Sequence, residues 1–210
     1  MNALAFGLLS FSSLFTIIDP LGVAPLFVGL TRQADARERR RMAVKACLVA
    51  LGLLVVFAVC GSLILKLFGI TIHAFRIAGG ILFFSMAAGM LTGHHRPQPS
   101  NDTEGDPAVV PLGMPLICGP GALSTVMVLM GQATSGWHVA SFFAALLLTL
   151  SLTLAVLLAA PAALRLLGKS GVQVVTQVMG LILCVIGVQF IVDGVRPLVL
   201  DMLNLTRGIP

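Results

Sequence analysis

The residue that most clearly asks for a chemical explanation is Asp19, in the stretch IIDPLGVAPLF, Ile17–Phe27. It interrupts an apolar run, and a carboxylate left facing lipid at that depth costs about 2.5–3.5 kcal/mol or more. Pro20 and Pro25 each lack a backbone N–H, and Gly22 frees the chain further. A helix is therefore expected to break at Asp19, with Asp19 as N-cap and Pro20 as the first residue of a new half-helix. A second stretch, PLICGPGALST at Pro115–Thr125, carries Gly119-Pro120-Gly121, and Pro111 and Pro115 also oppose a continuous helix there. A half-helix N-terminus presents unpaired N–H groups and about half a unit of positive charge, which suits a carboxylate. Carbonyls freed by unwinding suit an ammonium group or a cation. The candidate site is thus Asp19, Pro20, Leu21, Gly22 and Val23 with Gly119, Gly121, Ala122, Ser124 and Thr125, the last two as hydroxyl donors. Asp19 is also the candidate for coupling to a proton or sodium ion. The bland alternative is that Asp19 only caps a helix and the prolines are absorbed by neighbouring helices.

These residues need a membrane around them. Of 210 residues, 58% are hydrophobic and 10% charged, against roughly 45–50% and about 25% in soluble domains. The chain reads as an all-α polytopic membrane protein in the lipid bilayer, a single membrane domain over residues 1–210. Each span needs about 20 apolar residues, and six runs qualify: Ala3–Leu30, Ala43–Phe68, Ile72–Leu91, Val109–Gly131, Val139–Leu167 and Val172–Val195. The runs are continuous rather than alternating, which opposes a barrel. The basic segment TRQADARERRRMAVK after the first run is expected in the cytoplasm by the positive-inside rule. Both termini are then outside. Arg96, Arg165 and Lys169 join the cytoplasmic side, whereas Lys66, Arg76, Arg196 and Arg207 fall outside. The net charge of +5 is accounted for by topology rather than by nucleic-acid binding.

The chain also repeats itself. Asp19-Pro20 corresponds to Gly119-Pro120, LKLFG at Leu65–Gly69 to LRLLG at Leu164–Gly168, and FRIAGGIL at Phe75–Leu82 to TQVMGLIL at Thr176–Leu183. The anchors keep their order at offsets of 99 to 101 residues. Residues 1–92 and 109–200 are therefore expected to be two three-helix repeats, separated by a cytoplasmic loop at 93–108. An odd number of spans per unit inverts the second relative to the first, with the first and fourth helices broken. Inverted repeats with paired broken helices are a recurring transporter architecture, with the solute near the midplane.

Other polar residues are given quieter expectations. Arg76, which starts the third span, is expected to reach the outer interface, with an internal role beside its repeat counterpart Gln177 as the alternative. Gln189 and Asp193 share a face of the last helix, with Asp193 near Arg196 at the interface. Ser12, Ser13, Thr16 and Ser85 either line a path or bond back to helix carbonyls. His94 and His95 are read as solvated. The cysteines, Cys47, Cys60, Cys118 and Cys184, have no metal-ligand spacing and are expected to be buried thiols. No segment matches GxxxxGK[ST], a serine elbow or HExxH. No enzyme activity, cofactor or metal is expected.

At DPLGVAPLF and PLICGPGALST the sequence resembles the MarC family of integral membrane proteins, the group that includes SnatA-type small neutral amino acid transporters. It is more loosely similar to LysE-type exporters. The resemblance covers nearly the whole chain and implies a bacterial inner-membrane location. For the SnatA branch it implies transport of glycine or alanine driven by an ion gradient. By matched position it carries over Asp19, Pro20, Gly22 and Pro25, and Gly119, Pro120, Gly121 and Ala122. The expected function is secondary transport of a small neutral amino acid. A non-transporting scaffold or partner subunit, or an exporter of another small solute or drug, stands as the alternative. The coupling ion, the direction of transport and the oligomeric state are left open by the sequence.

Overall fold

The first apolar run is two helices meeting at an angle, not one. In the computed structural model, which describes residues 2–31, 34–91, 117–165 and 168–207, α1 covers Ala3–Ile18 and α2 Pro20–Leu30. Asp19 between them has φ 45° and ψ 68°, the left-handed conformation, which among non-glycine residues Asp and Asn tolerate best. Its N–H still donates to the Phe15 carbonyl (3.0 Å), closing α1, while its own carbonyl accepts from Val23 N–H (3.0 Å), opening α2. The Thr31 hydroxyl donates to the Phe27 carbonyl (2.7 Å) at the far end of α2.

α3 spans Ala36–Leu67, capped by Asp35, whose carboxylate accepts from Glu38 N–H (2.7 Å). The helix thus starts seven residues before the expected Ala43, because that cap lets the basic segment form its first turns. Arg39 reaches back and donates to the carbonyls of Thr31 (3.2 Å) and Ala34 (3.1 Å), a cation against the negative end of α2. Farther along, the buried stripe recurs at three- and four-residue spacing and is mostly small (Ala43, Ala46, Ala50, Ala58, Gly61), with Leu54 between Ala50 and Ala58. In lipid, helices associate through close packing of such stripes rather than through hydrophobic burial.

α3 ends at Gly69 (φ 63°). Ile70 N–H donates to Leu65 O (2.9 Å) and Gly69 N–H to Lys66 O (3.2 Å), the paired bonds of a Schellman ending. α4, Ile72–Leu91, follows as expected from the sequence. α5 covers Pro120–Gln132, α6 Gly136–Arg165 and α7 Gly168–Arg207. Gly168, the last residue of the LRLLG segment and the first of α7, also has positive φ (65°).

α4 and α7 make the most extensive helix pairing and run antiparallel. A methyl at Gly80 would lie 2.5 Å from the Gly187 carbonyl oxygen, one at Gly187 2.8 Å from the Gly80 carbonyl oxygen, and one at Gly194 2.7 Å from that of His73. Backbone meets backbone at these glycines. Elsewhere α6 packs against α1, α2 and α3, while α5 packs against α1, α3 and α4, and α2 against α7. The described residues contain no strand.

Five helical stretches are long and apolar enough to cross a membrane: Ala3–Gly29, Ala36–Leu67, Ile72–Gly89, Gly136–Ala163 and Gln173–Leu200. Large side chains such as Leu4, Leu63, Leu67, Val185 and Met202 are exposed on the outer surface, an apolar coat that suits lipid and not water. The fourth expected span is different. α5 has 13 residues, about 20 Å of rise against a hydrocarbon core of about 30 Å. The first part of that expected span and the expected 93–108 loop, with His94, His95 and Arg96, lie outside the described residues. Of the cysteines, Cys47 and Cys118 are buried as expected, but Cys60 is exposed on α3 and Cys184 half-buried on α7, since both sit off the packed faces of their helices.

Candidate solute site between two helix breaks

Asp19 and Gly119, a hundred residues apart in the chain, line the same cavity. Its volume is about 60 Å³, several times the roughly 10–15 Å³ that one water requires. Asp19, Gly22 and Val23 form one wall, and Gly119, Gly121 and Ala122 the opposite one. α4 contributes Phe83, and α7 contributes Met179, Leu183, Ile186 and Phe190. Phe83 and Phe190 stack, with centroids 5.7 Å apart. Among the described residues, Asp19 is the one ionisable side chain in this lining.

The two half-helices start in the same way and end their caps differently. Each has proline at its first position. Asp19 Oδ1 accepts from Gly22 N–H at 3.1 Å, so that amide is already satisfied. Gly22 makes this possible: a methyl there would run into the Asp19 carboxylate. α5 has no side-chain cap at all. Pro120 has no N–H, and Leu123 N–H is bonded to the Gly119 carbonyl (3.0 Å), which leaves the amides of Gly121 and Ala122 as the uncapped donors of that helix. The local charge is therefore paired across the cavity: a carboxylate on the α2 side, and the bare positive end of a helix on the α5 side.

Glycines set how closely these walls approach. A methyl at Gly121 would lie 2.5 Å from Phe190 Cζ and 3.2 Å from Ile17 Cγ2, and one at Gly79 would collide with the Pro120 ring. The Gly-Pro-Gly turn is thus seated directly on α4 and α7.

The remaining sequence candidates separate. Pro20 is buried beside the cavity without lining it, and Leu21 is turned away, 68% exposed. Ser124 and Thr125 face a second and larger cavity, about 590 Å³, with Ser12, Ser13, Thr16 and Gln132. Both hydroxyls bond back into their own helix, Ser124 Oγ donating to Pro120 O (2.7 Å) and Thr125 Oγ1 to Gly121 O (2.8 Å), which leaves their lone pairs as acceptors. Arg76, near the start of α4, also lines this second cavity. Asp193, expected with Arg196, accepts a hydrogen bond from Gln189 Nε2 (2.8 Å), because the two residues stack one turn apart. Gln177 is exposed and lines neither cavity. The apolar residues from α4 and α7 were invisible in the sequence, where they look like any lipid-facing Leu, Ile or Phe. Among the described residues no group of His, Cys, Asp and Glu is arranged to hold a metal.

The architecture can be compared with known proteins. UPF0056 membrane protein MJ1677 of Methanocaldococcus jannaschii is 40% identical over 199 residues, covering 92% of this chain and 97% of the relative. UPF0056 membrane protein YvbG of Bacillus subtilis is 36% identical over 194 residues, 89% of this chain and 92% of the relative. UPF0056 membrane protein YhcE of Escherichia coli is 34% identical over 201 residues, 92% and 94% respectively. No solved structure matches the chain significantly. The pattern of the MarC family of integral membrane proteins matches residues 4–199, and the chain belongs to that family.

Proposed function

We propose that this protein is a secondary transporter of small neutral amino acids, of the glycine and alanine class, with the solute held between the two helix breaks. The observation that carries the reading is the convergence of two proline-initiated half-helices on one cavity that holds a single carboxylate. A zwitterion matches that polarity. Its carboxylate meets the free amides of Gly121 and Ala122, and its ammonium meets Asp19 and the neighbouring carbonyls. Asp19 is the coupling residue for a proton or sodium ion. No catalytic step is part of this reading.

Six spans in two inverted repeats, 1–92 and 109–200 joined by the 93–108 loop, are the scaffold we infer. Several features support it. The Asp19-Pro20 and Gly119-Pro120 pairs both open a short helix, and Gly69 and Gly168 both adopt positive φ. Third and last helices pair antiparallel, as equivalent spans of inverted units must. The packing of α2 on α7 has its counterpart in α5 on α4. Rocking of one unit against the other would alternate access. In this reading the protein sits in a bacterial inner membrane with both termini outside.

A second reading has its own observation: Asp19 does cap Gly22 N–H, as a purely structural residue would in a scaffold or partner subunit. Uptake of labelled glycine and alanine into proteoliposomes, under imposed proton or sodium gradients, separates the two. Gradient-driven accumulation that Asp19→Asn abolishes supports coupled transport. Absence of uptake by folded protein in either gradient and either direction defeats the glycine/alanine assignment and favours the scaffold.

A further inference from the structure

The larger cavity has a polarity of its own. Arg76 enters it from α4, Ser12, Ser13 and Thr16 from α1, and Ser124, Thr125 and Gln132 from α5, with apolar side chains filling the remaining wall. At about 590 Å³ it lies within the roughly 300–1,000 Å³ of small-molecule pockets. Ile17 belongs to this lining and to that of the smaller cavity beside Asp19, so one side chain stands between the two spaces.

Arg76 is half-buried, and among the described residues no carboxylate lines this cavity or pairs with its guanidinium. Asp193, on the helix packed against α4, is held by Gln189. Helix stability does not account for the arginine either, since it sits about one turn from the start of α4, the positive end of the dipole, where a cation is unfavourable. A half-buried guanidinium without a carboxylate partner loses hydration that nothing in the lining restores, and a planar fork of N–H donors matches a carboxylate better than it matches a spherical anion. The hydroxyls complete the fit. Ser12 donates to Leu9 O (3.1 Å), and Thr125 is likewise bonded back into its helix, so both offer lone pairs to an ammonium group. Ser13 and Thr16 retain a hydroxyl proton for an anion.

We propose that this cavity is a recognition vestibule in which Arg76 binds the carboxylate of a small solute before it passes Ile17 towards Asp19. The vestibule selects small carboxylates, zwitterionic ones included, and rejects purely cationic amines. Only the onward passage rests on the transport reading; binding at Arg76 is tested without it.

The test is calorimetric binding of propionate, glycine, ethylammonium and chloride to the full-length purified protein, with Arg76→Gln, Arg76→Lys and Thr16→Trp as variants and proteoliposome uptake in parallel. Propionate and glycine are expected to bind and ethylammonium not. Arg76→Gln should weaken both at least about tenfold, the scale of one charge-assisted hydrogen bond, and Arg76→Lys less. Thr16→Trp fills the cavity from α1, leaves the arginine in place and should also abolish binding, which keeps the test decisive if Arg76→Gln fails to fold. Propionate affinity unchanged in Arg76→Gln or in Thr16→Trp overturns the proposal, as does the absence of carboxylate binding by the folded protein or equal competition by chloride. Arg76-dependent binding without glycine uptake leaves the vestibule standing and defeats the transport reading. Glycine uptake with an unchanged KM in Arg76→Gln does the reverse.

Discussion

Asp19 carries two loads at once. Its backbone turns the chain through the left-handed region, and its side chain closes the start of α2 on Gly22. Substitutions can pull these apart. Asparagine tolerates the left-handed conformation and caps about as well as aspartate, so Asp19→Asn should keep thermal stability within about 0.5 kcal/mol of the parent while losing charge-dependent uptake. Alanine can do neither. Loss of the cap costs about 0.5–2 kcal/mol, and the backbone strain about 1–2 kcal/mol more. Asp19→Ala should therefore melt measurably lower than Asp19→Asn in a detergent thermal-unfolding series. Equal melting of the two variants would mean that the break is held by packing around Pro20 and Pro25 alone.

Helices in this protein end where local chemistry tells them to, and approach one another where side chains vanish. Gly69 and Gly168 are the last residues of the LKLFG and LRLLG segments and both have positive φ. A methyl at either would meet open space, so the cost of alanine there is conformational only. Gly69→Ala and Gly168→Ala should each destabilise by about 1–2 kcal/mol and by the same amount within error, as read from matched unfolding curves. A large inequality would contradict equivalence of the two turns. Between α4 and α7 the opposite holds: the glycines there are packed against backbone atoms, which cannot yield as a flexible side chain can.

At the scale of the whole molecule, the proposed topology separates the basic start of α3 from the beginning of α1 by one crossing of the membrane. α1 and α2 together cover the 27 residues Ala3–Gly29, enough to cross even with a break. Arg37, Arg40 and Arg41 cluster at the start of α3, the charge pattern that stays in the cytoplasm. Single-cysteine labelling in a cysteine-free background is expected to find Asn2→Cys and Leu203→Cys accessible to a membrane-impermeant maleimide from outside intact cells. Arg37→Cys should react only after the cells are opened. Labelling of all three from one side would contradict an odd number of crossings before α3, and labelling of the two termini from opposite sides would contradict an even number between them.

Much of this arrangement was legible in the sequence, because the signals are local. Apolar run length determines that the chain must enter a membrane, since a backbone in lipid has to satisfy its own hydrogen bonds within each helix. Asp-Pro and Gly-Pro determine where helices restart, since proline lacks the donor that a continuous helix needs. The start of α3 was less legible, because Asp35 draws charged residues into a helix that hydropathy assigned to a loop. Only the tertiary structure decided which residues share a space. Leu21 and Gly22 are neighbours in sequence, yet one faces outward and the other lines the cavity beside Asp19, a difference of helix rotation relative to other helices. Arg76 lies near the start of its span, and packing of α4 between α5 and α7 decides that it faces the vestibule. Phe83 and Phe190 carry no signal of their own, and they reach the cavity because glycine lets helix backbones approach that closely. Local sequence sets where the chain breaks; long-range contact between small residues sets what the breaks face.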